Sequence, residues 1–333
     1  MKDLFDLFNA LPTPEEAGDR ARVFSSVAPK QPFGFRVAKS SEGHPYLIVP
    51  CRGEPRAAPG VRLENVVVER RVICRITEVG GAEATGEYSL IGCTSSDPEL
   101  QAFFLRVVSS FIVGVDSSEA RSIDRAIDLM VELFTAIDRP ARKTIRGFWA
   151  ELFLISEAGQ AEVMLDAWHS ESTGLFDFSS GSDRIEVKSS SDRRVHHFRL
   201  EQLLQPEGTR VTVASCIVRS AGAGTSIGDL VGRLSRRSGM QGIRLEKLAR
   251  VSAETLGTDW RLGISQRFDE EWARHSLVFF DASSVPRVLE PIPAQVAEVR
   301  FVVDCSTIPP IPEAKLREVG LLSHFGSQGR RSR

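Results

Sequence analysis

Hydrophobic and polar positions alternate along residues 33–93, in runs such as PYLIVP, LENVVVERRVICRITE and GEYSLIGC. Glycine, proline and charged residues separate these runs. A period of two places successive side chains on opposite faces of a strand, and short runs of this kind are typical of antiparallel sheets. The pattern predicts a β-rich module. A short amphipathic helix is predicted before it, in MKDLFDLFNALPTP.

The spacing of apolar residues then changes from two to that of a helix. One helix is predicted to begin at Asp97-Pro98, because proline is favoured in a first turn. A second is predicted from the cap-like pair Asp116 and Glu119, and it should end before Pro140. The apolar side chains of this second helix are Ile123, Ile127, Val131 and Phe134.

From about residue 142 to 250 the pattern is helix, short strands, helix, strand and helix, which indicates an α/β core. After it come the strand-like runs HSLVFFD and VAEVRFVVDC, a short helix and the polar tail GSQGRRSR. We therefore predict a mixed α/β (α+β) protein made of four segments. These are an N-terminal β-rich module (1–115), an α/β core (116–265), a C-terminal αβ extension (266–325) and a disordered tail (326–333).

Composition narrows the class of protein without giving its chemistry. Apolar residues make up 42% and charged residues 26% of the chain, and no apolar run approaches membrane length. The first residues carry acids where a signal peptide needs basic residues, so a cytoplasmic location is expected. The net charge of −2 means that any nucleic-acid surface has to be local. The cysteines lack the spacing of a zinc site or a disulfide framework.

The stretch DFSSGSDRIEVKSS, residues 177–190, carries the strongest chemical signal. Its central SSGSD is typical of a turn, and the flanking residues favour strands, so Asp177 and Glu186 should lie on neighbouring strands. The period of two sends Glu186 and Lys188 to one face of their strand. Two carboxylates and an ammonium group are thus predicted to meet.

Adjacent carboxylates repel one another unless a proton or a cation lies between them. Mg²⁺ suits a site of a few carboxylates, and Mn²⁺ would substitute for it. Lys188 beside such a metal would orient the attacking water and offset charge on a phosphate. Glu151 is a possible third acid, since apolar residues surround it in RGFWAELFLISEA. The alternative is that Glu151 points outward at the edge of this helix.

Basic residues follow the predicted hairpin in SSSDRRVHHFRLEQLLQP, before what reads as a short helix. Next to a carboxylate cluster, such side chains are suited to contacts with a phosphodiester backbone. The alternative is a solvated basic start to the helix. The candidate DNA-binding residues are Arg193, Arg194, His196, His197 and Arg199.

Spacing alone does not identify the site, because the chain repeats it. Eight residues separate Asp304 from Glu313-Ala314-Lys315, and the same number separates Asp177 from Glu186-Val187-Lys188. The second copy contains three prolines in its gap, and Glu313 begins a helical pattern, so its acids should not share a sheet face.

The order of a helical glutamate, Asp177, Glu186-Val187-Lys188 and a glutamine-leucine helix resembles the PD-(D/E)XK nuclease superfamily. More narrowly, it is similar to restriction-endonuclease-like proteins of bacterial restriction and phage-defence operons. The motifs span roughly residues 142–220. The resemblance implies a core of a helix, a mostly antiparallel three-strand unit, a second helix and a fourth strand.

The resemblance also implies roles for individual residues. Asp177 and Glu186 would bind the metal, Glu151 would be an auxiliary metal ligand, and Lys188 would act on the water. Gln202 would contact substrate or the water, although the tyrosine that often follows it is replaced by Pro206.

The implied function is a Mg²⁺-dependent DNA endonuclease in restriction or phage defence, acting beside separate ATPase, helicase or methyltransferase subunits. The alternative is a catalytically inactive nuclease-like subunit that binds DNA or serves in assembly. RNA cleavage stays open, because these residues do not read the sugar. Cleavage of both strands would need two active sites, which a homodimer would supply, and the sequence leaves the oligomeric state open.

Overall fold

The structure is a computed structural model of the full chain. It describes residues 4–15, 22–29, 34–51, 60–114, 120–137, 139–169, 174–240, 242–289, 291–293, 295–296, 298–316 and 320–325. The predicted cap at Asp116 and Glu119 and the predicted disordered tail lie outside these residues. Within them, no helix combines the length and the apolar character that a membrane span needs.

Helices and strands alternate in the mixed α/β order predicted from the sequence. The helices are α1 (Leu4–Asn9), α2 (Pro98–Gly114), α3 (Ala120–Ile137), α4 (Ile145–Glu157), α5 (Ala161–Ala167), α6 (Ile227–Ser235), α7 (Ile243–Leu256), α8 (Trp260–Ser265), α9 (Glu270–Ser276) and α10 (Glu313–Leu316). The strands are β1 (Arg22–Val27), β2 (Arg36–Ser40), β3 (Pro45–Pro50), β4 (Val61–Arg62), β5 (Val66–Glu78), β6 (Glu83–Cys93), β7 (Phe178–Ser180), β8 (Asp183–Ser190), β9 (Val195–Arg199), β10 (Arg210–Ile217), β11 (Ser220–Ser226), β12 (Arg267–Phe268), β13 (Val278–Asp281) and β14 (Arg300–Asp304).

The chain divides into two compact units. The first contains residues 1–141 and 241–261, and the second contains residues 142–240 and 262–333. This division differs from the segments predicted from the sequence, because α3 and α7, which fall inside 116–265, pack against each other in the first unit. Sequence order suggested one continuous core, whereas α7 returns to the helices that follow the β-rich module.

The first unit is built on a sheet with the strand order β1-β2-β3-β6-β5-β4. Strand β1 also pairs with β5 in parallel, so the strands from β1 round to β5 close into a ring. Strand β5 bends at a register shift between Glu69 and Val72, where Arg71 has a φ of 57°. A bulge of this kind lets one long strand pair with β6 throughout and turn toward β1.

Alternate residues of these strands fill the interior of the ring, as the period of two predicted. The buried cluster consists of Phe24, Ala38, Tyr46, Ile48, Val67, Cys74, Ile76 and Leu90. Helices α1 and α2 contact the strands, and α2 begins at the predicted proline, with Asp97 Oδ1 accepting from the Glu99 backbone N–H at 2.9 Å. The β-rich module is therefore confirmed.

The second unit has a sheet with the strand order β13-β10-β8-β7. Strands β7 and β8 form an antiparallel hairpin, β8 and β10 are parallel, and β10 and β13 are antiparallel. Helix α4 packs on β8, and all its side chains from Phe148 to Glu157 are buried. A helix enclosed over this length explains why its sequence is apolar on every side.

The unit following the hairpin differs from the prediction. The segment 195–199, expected as the start of a helix, is strand β9, and it pairs with β14 rather than joining a three-strand unit with β7 and β8. The expected second helix is reduced to a 3₁₀ turn, Leu200–Leu203. The cause is β14, a distant partner that offers β9 a complete ladder of hydrogen bonds, which a short helix would lack.

Candidate active site

Asp177 and Glu186 face each other at the base of the β7–β8 hairpin. Phe178 pairs with Ile185 across the strands, so Asp177 and Glu186 occupy the next positions outward. Gly181, with a φ of 51°, provides the left-handed conformation that the tight turn requires. The Asp177 carboxylate is fixed by the Val187 backbone N–H, which donates to Oδ2 at 2.8 Å.

Helix α4 brings Glu151 to the same place. Thr144 caps the helix, its Oγ1 accepting from the Gly147 N–H at 3.1 Å, and this sets where the helix begins. Glu151 is 4% exposed, and its Oε2 accepts a hydrogen bond from Trp168 Nε1 at 2.9 Å. The glutamate therefore points inward, and the alternative that it points outward at the helix edge is wrong.

Lys143 joins Glu151 to Asp177, a contact that sequence reasoning missed. Its Nζ lies 2.5 Å from Glu151 Oε1 and 2.5 Å from Asp177 Oδ1. The sequence signal for this contact was weak, since Lys143 stands in the polar segment RKT directly before the helix, where a solvated lysine is ordinary. Only the fold shows that this lysine meets the acid of the hairpin.

Lys188 and Gln202 complete the network on the other side of Glu186. Lys188 Nζ donates to Glu186 Oε1 at 2.7 Å and to Gln202 Oε1 at 3.1 Å. Gln202 Nε2 donates to Glu186 Oε1 at 2.7 Å, and the Lys188 ammonium stands 5.0 Å from the centre of the Phe198 ring. The structure thus brings together all the residues predicted as catalytic: Glu151, Asp177, Glu186, Lys188 and Gln202.

The carboxylates of this cluster are electrostatically strained. Burial raises the pKa of Glu186, and the charge of Asp177 raises it further, against the opposing effect of Lys188. Burial and Asp177 likewise raise the pKa of Glu151, although Lys143 opposes them. Burial lowers the pKa of Lys143, but Glu151 and Asp177 outweigh it and raise that pKa overall. The two lysines therefore do not fully offset the burial and mutual repulsion of the carboxylates.

The donor set fits a hard divalent cation in its chemistry, because carboxylate oxygens are the ligands that Mg²⁺ prefers. Asp177 and Glu186 would hold it, with Glu151 beside them. Among the residues that the structure describes, however, no group of three or more histidine, cysteine, aspartate or glutamate side chains is arranged to hold a metal ion. The ammonium of Lys143 lies between Glu151 and Asp177.

Two of the predicted DNA-binding residues point into the protein. His196 is 2% exposed, and its Nε2 lies 2.8 Å from Ser215 Oγ. Arg194 donates from Nη1 to the Ser215 oxygens at 2.8 and 3.0 Å and from Nη2 to the Ser276 carbonyl. Burial lowers the pKa of both side chains. In this geometry their contacts are packing contacts within the unit, so neither side chain is presented to a phosphate.

The other three predicted DNA-binding residues are exposed. Strand β9 alternates, with His197 and Arg199 outward, and Arg193 pairs with Asp304 at 2.9 Å just before the strand. In the β9–β14 ladder Arg199 lies directly opposite Arg300, which is also exposed. A phosphate-facing role for Arg193, His197 and Arg199 stays a prediction, and the ladder adds Arg300 to it.

The fold and this cluster define a nuclease-like protein of the PD-(D/E)XK type. Over residues 5–306 the chain matches the family described as "Putative PD-(D/E)XK family member, (DUF4420)", and it belongs to that family. No curated protein and no solved structure matches the chain.

Proposed function

We propose that this protein is a divalent-metal-dependent DNA endonuclease that hydrolyses phosphodiester bonds in a bacterial restriction or phage-defence system. The observation that carries the proposal is the placement of Asp177 beside Glu186 and Lys188. Asp177 accepts from the Val187 N–H, on the strand that carries Glu186 and Lys188, and Lys188 donates to Glu186. Sequence spacing predicted these side chains together, and membership of a nuclease-like family supports the same chemistry.

The residues of the chain divide the work of phosphodiester hydrolysis among them. A divalent cation held by Asp177 and Glu186 would supply positive charge to the scissile phosphate and lower the pKa of the attacking water. Lys188 would donate a hydrogen bond to that water or to a phosphate oxygen. Gln202 accepts a hydrogen bond from Lys188 and donates one to Glu186, so its amide fixes the positions of both side chains. Magnesium is the expected ion, with manganese as a substitute.

The β9–β14 ribbon supports a nucleic acid as the substrate. Arg199 and Arg300 lie directly across the ladder from each other, and like charges in this position are unfavourable. Glu298 offsets part of the charge through its contact with Arg300 at 2.9 Å. The phosphate backbone of a nucleic acid would relieve the repulsion that is left. The ribbon joins the active site, since the Arg199 backbone N–H donates to Gln202 Oε1 at 3.1 Å.

A plasmid-cleavage assay tests the proposal. Purified wild-type chain is incubated with supercoiled plasmid and Mg²⁺ or Mn²⁺, and binding to the same DNA is measured in parallel by gel shift. Asp177→Asn and Lys188→Met should abolish nicking and leave binding nearly unchanged. Lys315→Met is the matched control, because Lys315 stands in the second acid-x-lysine copy, at an exposed position of α10. This variant should cleave like the wild type.

The outcomes separate the proposal from its alternative. If the wild type binds DNA but never nicks it with either metal or with the products of neighbouring genes, the protein is a DNA-binding or assembly subunit with a nuclease-like fold. Repeating the cleavage assay with RNA of the same sequence shows whether the substrate is DNA or RNA. Phage plating on cells that carry either the wild type or Asp177→Asn tests the defence role. If the role is correct, the wild type protects the cells and the variant does not.

A further inference from the structure

Lys143 occupies the space between Glu151 and Asp177 in a particular way. Each carboxylate has one oxygen bound to a neutral donor, Trp168 Nε1 for Glu151 and the Val187 N–H for Asp177. The other oxygen of each accepts from Lys143 at 2.5 Å. Each acid therefore has a second anchor besides Lys143, and the two oxygens that face Lys143 form a site for positive charge.

Lys143 is also able to leave this position. Its side chain is 39% exposed, whereas the side chains of Glu151 and Asp177 are 5% and 12% exposed. It precedes helix α4 and the Thr144 cap, so withdrawing its ammonium toward solvent breaks no bond of the helix. A flexible four-carbon stem allows this movement by rotation of side-chain bonds alone.

We infer that Lys143 is an internal counter-cation that holds Glu151 and Asp177 together in the metal-free protein and is displaced when a divalent cation binds. This inference rests on the proposed function. Lys143 is a positioning residue here, and it sets how tightly the cluster takes up metal. Displacing the ammonium removes two charge-assisted hydrogen bonds, so the wild type should bind a divalent cation less tightly than a variant without this charge.

Manganese binding to the full-length chain tests the inference without any cleavage reaction. The affinity for Mn²⁺ is measured from the electron paramagnetic resonance signal of the free ion. Lys143→Gln should bind Mn²⁺ about tenfold more tightly than wild type, since giving up even one charge-assisted hydrogen bond is worth that order of affinity. Lys143→Arg keeps the charge and should bind like the wild type. Lys315→Gln removes the same charge from an exposed helix and should also leave the affinity unchanged.

Each result supports or overturns the inference. If Lys143→Gln binds Mn²⁺ as wild type does or more weakly, or if Lys315→Gln gives the same gain, Lys143 is not a competitor. In that case, binding that Asp177→Asn abolishes would still support the proposed metal site. If neither wild type nor Lys143→Gln binds Mn²⁺, both the inference and the proposed function fail.

A measurement on the wild type alone covers the case in which Lys143→Gln does not fold. Reductive methylation followed by mass spectrometry reports how accessible each lysine amine is. Saturating Mn²⁺ should increase the methylation of Lys143 several-fold and leave that of Lys315 unchanged. Unchanged or reduced methylation of Lys143 in a protein that binds Mn²⁺ would contradict displacement.

Discussion

The burial of His196 predicts that acid destabilises the second unit through this side chain. The residue is 2% exposed, and its ring lies edge-on to the Phe198 ring at 6.4 Å between centroids and bonds Ser215 Oγ through Nε2. Burial lowers the pKa of His196 from 6.5 to about 4, and the charges of Lys188 and Arg194 act in the same direction against Asp304. The folded protein therefore keeps this histidine neutral.

The magnitude follows from the difference between the folded and unfolded pKa. Between pH 6.5 and about 4 the unfolded chain binds a proton that the folded chain does not, so stability is full above this window and falls as the pH drops through it. At pH 5 the loss is about 2 kcal/mol relative to pH 8, and over the whole window it reaches about 3 kcal/mol.

Two measurements check this prediction with the variant His196→Gln. Urea unfolding at pH 8 and pH 5 should show a loss of stability in wild type that is smaller by about 2 kcal/mol in the variant. Nuclear magnetic resonance titration of the His196 Cε1–H, assigned by its disappearance in His196→Gln, should give a pKa well below 6.5. A resonance that titrates near 6.5, with equal acid sensitivity in both proteins, would refute the buried, neutral histidine.

Two further predictions concern the packing of each unit. In the second unit the Asp183 carboxylate accepts from Arg210 and from the Leu321 backbone N–H, so Asp183→Ala should lower the free energy of unfolding by about 2 kcal/mol in urea titration. In the first unit a methyl group on Gly92 would collide with the Tyr46 ring, so Gly92→Ala should cost about 1–3 kcal/mol by the same measurement.

Matched substitutions give these two measurements their controls. Asp192→Ala removes a carboxylate that is 79% exposed, and Gly222→Ala adds a methyl group with no atom within 4 Å of it. Neither should change the free energy of unfolding by more than about 0.5 kcal/mol. A control that loses as much stability as its partner would mean that the contacts named above are not the cause.

The β7–β8 hairpin could be predicted because everything that forms it is local. Turn residues at 179–183 and the period of two in Ile185-Glu186-Val187-Lys188 fix the pairing and the shared face within a dozen residues. For this hairpin the nearest neighbours in sequence carry the information that decides the structure. The burial of Glu151 was one of two possibilities that the sequence left open, and the packing of α4 on β8 decided it.

The contacts that sequence reasoning missed all depend on distant partners. Strand β9 shows the alternation of a half-buried strand, with His196 and Phe198 inward, but only pairing with β14, about a hundred residues later, makes it a strand. Lys143 and Trp168 reach the site because α4 packs on β8 and Trp168 bridges to Phe178. No periodicity within either segment reports such packing.

The second acid-x-lysine copy shows what distinguishes a site from a spacing. Asp304 lies on an exposed strand position, bonded by Ser306 and Arg193, and hydrogen bonds from Ser306 lower the pKa of its carboxyl. Glu186 belongs to the first copy, which has the same spacing, yet burial and the charge of Asp177 raise its pKa. An exposed acid is stabilised by water and by its own hydrogen bonds, whereas acids buried together need a positive charge that they share. The requirement for a cation therefore arises from enclosure by α4 and the hairpin rather than from the motif.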